Sequence, residues 1–210
     1  MEVGHAIRRE LDGKPVVAYM GDDQSFEHIY KFVSDAKYVE GDVLNNRRLL
    51  EAGKLYVAKF NDGTATGDFM GTGEWILLDK SANSILAADT RFASQAEVLI
   101  HARMAGDAVG ATKMDRPEWV AVSPKSGEVY ATLTNNSSRT STNDANPRSA
   151  NVYGQIVHWK ETGSDAAALT LLLLGTTPTE TAASAEACSE SYTSTKQSNA
   201  LLPLLSAMKG

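Results

Sequence analysis

Two short stretches of this chain hold residue types that could do chemistry together. Gly21-Asp22-Asp23 follows the apolar run Lys14–Met20 and puts two carboxylates at a turn. Clustered carboxylates at a strand end supply oxygen ligands for a hard cation such as calcium. An Asx turn by one Asp, with the other solvated, accounts for the same dipeptide. Farther along comes Asp115-Arg116-Pro117-Glu118-Trp119. Pro117 biases Arg116 towards an extended backbone, and strand alternation then puts Arg116 and Glu118 on one side. A guanidinium there can grip a phosphate while a carboxylate holds a metal. A plain surface ion pair at a strand start uses the same residues.

Other reactive side chains are dispersed. His5, His28, His101 and His158 form no i,i+4 pair. The chain carries no nucleophile elbow, phosphate-binding loop, zinc-protease or EF-hand pattern. Cys188 is the single cysteine, which excludes an intramolecular disulfide framework and a Cys-rich zinc site. It has no basic or His-rich neighbour, so an inert thiol is expected.

Short strands punctuated by turns must position these residues. Strand candidates are Lys14–Met20, His28–Val33, Leu55–Phe60, Glu74–Leu78, Glu118–Val122, Glu128–Leu133 and Val152–Trp159. Ser123–Gly127 reads as a hairpin turn, with Pro124 presetting φ and Gly127 supplying a positive one. A mainly β fold with short helical insertions follows, a sandwich, barrel or propeller rather than a βαβ sheet. One helix is expected over Asn46–Ala52 with Gly53 as its C-cap. A second runs from Ser94 to about Gly106, where Ser94-Gln95-Ala96-Glu97 fits a capping box and Val98, Ala102, Ala105 and Val109 keep helical spacing. Arg139–Asn151, rich in Asn, Asp, Ser and Thr, reads as a long exposed loop.

The chain divides into residues 1–160 and 161–210. All nine arginines precede Lys160, and Ala, Ser and Thr make up 24 of the last 50 residues, where Tyr192 is the one aromatic. So few large side chains predict a poorly ordered tail; a Leu-rich helix over Ala166–Leu174 and another near Leu201–Met208 are the alternative. A net charge of −6 argues against a nucleic-acid binder working by bulk charge. The longest apolar block, Ala166–Leu174, is too short to span a bilayer, and residues 1–20 have no signal-peptide pattern.

Several longer stretches resemble the PhoX-type bacterial alkaline phosphatases. They are Pro15–Asp23, Glu27–Val33, Gly53–Phe60, Gly73–Trp75, and above all Asp107–Leu133, with Asn146-Pro147-Arg148 and Asn151–Gly154 extending the likeness to about Trp159. The resemblance implies an incomplete β-propeller of several antiparallel blades. It also implies a periplasmic phosphomonoesterase with calcium and iron in its central cavity. Asp23 and Glu118 would match carboxylate metal ligands, and Arg116 would match an arginine that contacts the substrate phosphate.

The departures are equally definite. The family's proteins are longer, with an export signal and early blades ahead of this region. Their cluster cysteine has no counterpart at Cys188, and Glu2 lacks the His that accompanies the corresponding ligand. Near Ser164 the pattern gives way to Ala/Ser/Thr-rich sequence, as a truncated or frame-shifted gene would produce. The expectation is a fragment with little or no activity. A non-catalytic calcium- or phosphate-binding module, or a half-propeller that needs a partner chain, stays open beside it.

Overall fold

A computed structural model describes residues 3–7, 12–65, 67–163, 168 and 170–178, with backbone alone for 3–7 and 176–178. Apolar runs with β-branched and aromatic residues become strands, because alternate side chains then reach a common interior. In chain order these are β1 (Val3–Ile7), β2 (Pro15–Asp22), β3 (Ile29–Lys37), β4 (Gly53–Asp62), β5 (Gly71–Leu77), β6 (Pro117–Val122), β7 (Val129–Leu133), β8 (Gln155–Glu161) and β9 (Thr170–Pro178). They form one antiparallel sheet in the order β1-β2-β3-β4-β5-β9-β8-β7-β6. Its two edges approach each other, β6 lying against β1 and β2, so the sheet nearly closes on itself. The mainly β architecture expected from the sequence is what the structure shows.

The interior is aromatic. Trp159 sits at its centre, with ring centroids 5.9 Å from Tyr19 and 6.1 Å from both Phe60 and Trp75. The T-shaped contacts direct ring edges onto ring faces. A second apolar layer lies outside the sheet, where Leu86, Phe92, Val98 and Ala105 cover Tyr30 and Val57. It is carried by the short helices α2 (Ser84–Ala88), α3 (Gln95–Ile100) and α4 (Ala102–Ala108), which follow α1 (Val43–Asn46) in the chain.

Local signals hold in part. Ser94 caps α3 by accepting from Glu97 N, but the Glu97 carboxylate accepts from Ala93 N rather than closing a box on Ser94. His101, at φ −106° and ψ 43°, breaks the expected single helix into α3 and α4. The hairpin turn forms as expected, with Gly127 at φ +71° donating to Ser123 O. The expected helix over 46–52 is replaced by the single-turn α1, and Gly53 opens β4 instead of capping a helix. A Cβ at Gly53 would lie 2.4 Å from both the Phe32 ring and Val33 O, so glycine there permits close strand packing.

The leucine run beyond residue 169 is the strand β9, set between β5 and β8. Leu171 and Leu173 point into the core while Leu172 is 42% exposed, a period-two pattern that a helix does not give. Residues 179–210, including Cys188 and the proposed 201–208 helix, lie outside the described residues, as does the His5 side chain.

Candidate functional site

The adjacent carboxylates of Asp22 and Asp23 face different partners. Asp22, buried at the end of β2, takes a two-pronged contact from Arg103 of α4, Nε to Oδ2 and Nη2 to Oδ1, both 2.6 Å. Arg103 also donates to Gln24 Oε1 at 2.7 Å. Hydrogen bonding to Asp22 holds the guanidinium still more firmly in its charged form. Nearby, burial pushes the Glu27 carboxyl above its ordinary range, Arg103 opposing the shift. The dipeptide is therefore not a joint cation site: strand alternation splits it, and each Asp meets its own arginine.

Asp23 meets Arg116. Nε of Arg116 lies 3.0 Å from Asp23 Oδ1, and Nη2 donates to Oδ2 at 3.2 Å. The first contact has an ion-pair distance without hydrogen-bond alignment, so Oδ1 stays buried with unused acceptor capacity. Arg116 Nη1 reaches Asn135 Oδ1 at 3.4 Å. The Asp23 side chain is 5% exposed and that of Arg116 is 37% exposed, so the guanidinium presents one edge to solvent.

The backbone under Arg116 is not extended. It has φ +56°, a conformation that costs a non-glycine residue on the order of 1–3 kcal/mol. Tertiary contacts override the bias imposed by Pro117: Arg116 O accepts from Thr134 N, and Asp115 forms a β-bridge with Ser25. The ladder then shifts register between Pro117 and Val120, a bulge that spoils simple alternation. Glu118 lies in this bulge, half-buried, and neither Asp23 nor Arg116 takes it as an ion-pair partner. The structure thus joins two of the three predicted residues directly and sets the third two positions beyond Arg116, inside β6.

Close approach of β2 to β6 brings the pair together. A Cβ on Gly21 would lie 2.7 Å from Pro117 O and 2.9 Å from Pro117 Cβ. Gly21→Ala is accordingly expected to push β2 off β6 and cost about 1–3 kcal/mol by overpacking. Urea unfolding measures this; an unchanged midpoint would show that the strands separate freely.

Sequence reasoning missed the polar network behind this pair. Arg139, expected in an exposed loop, is buried. Its Nε donates to Asp115 Oδ1 at 2.5 Å and its Nη2 to Lys113 O at 2.6 Å. Asn151 Nδ2 donates to Asp115 Oδ2 at 3.0 Å and also to Gln155, and Gln155 donates to Ala145 O. The 139–151 segment lacks helix and regular strand and is exposed at residues 140–142 and 149–150, as expected, but Arg139, Asn146 and Asn151 are buried because they bond to Asp115, Lys113 O and Gln155.

Of the histidines, His28 is fully buried with Nδ1 3.0 Å from Thr112 O. His158 stacks on Tyr130 with centroids 5.1 Å apart, and burial lowers its pKa. Both serve packing. A cavity of about 420 Å³ opens between β2 and the α3–α4 break, lined by Met20, Asp22, Tyr30, Leu55, Leu99 and Met104 among others. Asp23, Arg116 and Glu118 do not line it.

The described residues do not fit a complete calcium or iron centre. Calcium takes about 6–8 oxygen ligands, whereas no group of three or more His, Cys, Asp or Glu residues suited to a metal occurs among the described residues. Asp23 Oδ1 is the one buried carboxylate oxygen at the Arg116 site with capacity to spare.

Comparison with known proteins then decides the family. The sequence matches the family described as Alkaline phosphatase PhoX over residues 5–200. The chain belongs to the PhoX family. A solved PhoX from Pseudomonas fluorescens, in complex with vanadate, a transition state analogue, is 48% identical and superposes with a TM-score of 0.73. The match covers 80% of this chain and 30% of that one, so the chain spans under a third of the solved PhoX. That PhoX structure is of the propeller type. A search of curated proteins finds no match.

Proposed function

We propose that the chain supplies the arginine-bearing segment of a metal-dependent phosphomonoester hydrolase and, by itself, turns over phosphomonoesters little or not at all. The observation that carries this reading is the Arg116–Asp23 pair. It joins segments 93 residues apart on a strained backbone, in a chain whose solved relative holds vanadate, a transition state analogue.

A half-exposed guanidinium offers a planar set of donors that matches the oxygens of a phosphate and can absorb charge developing on them. Asp23 works against this alone, because its carboxylate cancels the guanidinium charge and repels a phosphate dianion. Calcium and iron, implied by the family, belong to this reading as ions that Asp23 and Glu118 can hold only alongside ligands from outside the described residues. Those ligands come from further segments of the same protein or from a partner chain that completes the propeller. Export to the periplasm, the family's expected location, is part of the same reading; among the described residues no helix is long and apolar enough to cross a membrane.

The test is a chromogenic phosphomonoester assay of the 210-residue chain with calcium and iron. Turnover at background is expected, and robust turnover would overturn the fragment reading. Calorimetry with calcium adds a second measurement. With the segments that this chain does not span added, Asp23→Ala and Glu118→Ala should each weaken calcium binding; indifference to both would mean that these carboxylates hold no ion. The spare capacity of Asp23 Oδ1 also favours a second reading, a binding module without turnover. Adding the segments that this chain does not span separates the two, since activity appears only for the hydrolase.

A further inference from the structure

We infer that Arg139 is the positioning residue for the Arg116–Asp23 pair, gripping both segments that carry it. The inference rests on reading Arg116 as the oxyanion-binding residue, and it adds a residue of the 139–151 loop that touches neither member of the pair.

Both members sit in irregular backbone held from behind. On the Asp23 side, Phe26 has φ +67° and its N donates to Met114 O at 2.9 Å, while Met114 N donates to Glu27 O at 2.8 Å. On the Arg116 side, Asp115 is fully buried. One guanidinium touches both sides. Arg139 donates to the Asp115 carboxylate and to Lys113 O as described, and its Cζ lies 5.3 Å from the centre of the Phe26 ring. A cation over a ring face is attracted by the ring quadrupole, so Phe26 is held as Asp115 is.

The chemistry requires arginine here. Its fork bonds a carboxylate and a carbonyl in fixed relative positions and still presents a flat face to a ring. A lysine ammonium keeps the charge and loses the fork. Asp115 immediately precedes Arg116, and its second oxygen is held by Asn151, so Asp115 cannot turn without breaking buried bonds. The φ +56° at Arg116 is thus fixed by Arg139 through Asp115 on one side and by Thr134 on the other. Released, Arg116 relaxes towards the extended backbone that Pro117 favours, and its guanidinium swings away from Asp23.

The test has two readouts, the Arg116 Nε–H signal of the 210-residue chain in proton–nitrogen NMR and vanadate affinity by calorimetry with calcium and the segments that the chain does not span. Arg116→Lys identifies the signal by removing it. Arg139→Lys and the milder Phe26→Leu should both shift or broaden that signal while distant backbone resonances stay in place. Both should also weaken vanadate binding, Arg139→Lys by about tenfold or more, as expected when a binding group is misplaced by an ångström. Arg139→Lys combined with Arg116→Lys should bind no more weakly than Arg116→Lys alone. An Arg116 signal unmoved in both variants overturns the positioning role. A moved signal with vanadate affinity indifferent to Arg116→Lys sinks the oxyanion reading instead and leaves Arg139 setting the pair.

Discussion

Asp115→Ala is expected to lower the unfolding free energy by about 3–5 kcal/mol, because removing one partner of a buried pair strands the other charge. Asp115 is fully buried and Arg139 is 5% exposed, so water cannot replace the lost carboxylate. Lys113 O and Ser141 O still accept from the guanidinium, yet neither carries charge. Asn151 loses an acceptor at the same time. Urea unfolding of the chain measures the effect, and a loss below about 1 kcal/mol, the range of an exposed pair, would show that solvent reaches Arg139. Asp115→Asn keeps the shape and one acceptor oxygen, but its amide nitrogen would face Arg139 Nε or Asn151 Nδ2 donor to donor, so it should remain clearly destabilising.

The second large effect is expected at another buried ion pair. Lys31 and Glu161 are 1% and 4% exposed at their side chains, with Nζ 2.7 Å from Oε1. Lys31 Nζ also donates to Ala168 O at 2.9 Å and lies 5.7 Å from the Trp75 ring centre. Glu161→Ala should cost about 3–5 kcal/mol by removing the carboxylate that lies 2.7 Å from the buried ammonium. Lys31→Met together with Glu161→Leu should cost far less, since a buried ion pair replaced by apolar groups of similar volume is often neutral. A double-mutant cycle decides the point. Additive single and double losses would mean that the two groups act independently.

Legibility in the sequence followed the range of the interactions. Asp23 and Arg116 stood out because turn chemistry and a proline-flanked charge motif are local, and the strands around them carry clear apolar runs. The partners of the remaining charges did not. That Arg103 belongs to Asp22, or Arg139 to Asp115, depends on which helix or loop returns to which strand end, and neither residue sits in a telling local pattern. Arg116 shows the limit most sharply. Its proline neighbour argues for an extended backbone, and a bridge from Ser25 with a bond from Thr134 overrides it. Periodicity failed at Thr170–Pro178 for a related reason: a run of four leucines fits a helix or a strand equally well, and only the gap between β5 and β8 selects the strand.

That gap has a consequence for synthesis on the ribosome. Translation completes β1–β5 long before β9 emerges and β6–β8 only eight residues before it, and until β9 pairs, bare rows of peptide groups lie along β5 and along β8. Such rows recruit any extended peptide within reach, including the same rows on a neighbouring nascent chain. The last described strand to be made is therefore the clasp of the molecule, and a delay in its arrival exposes crowded polysomes to mispairing.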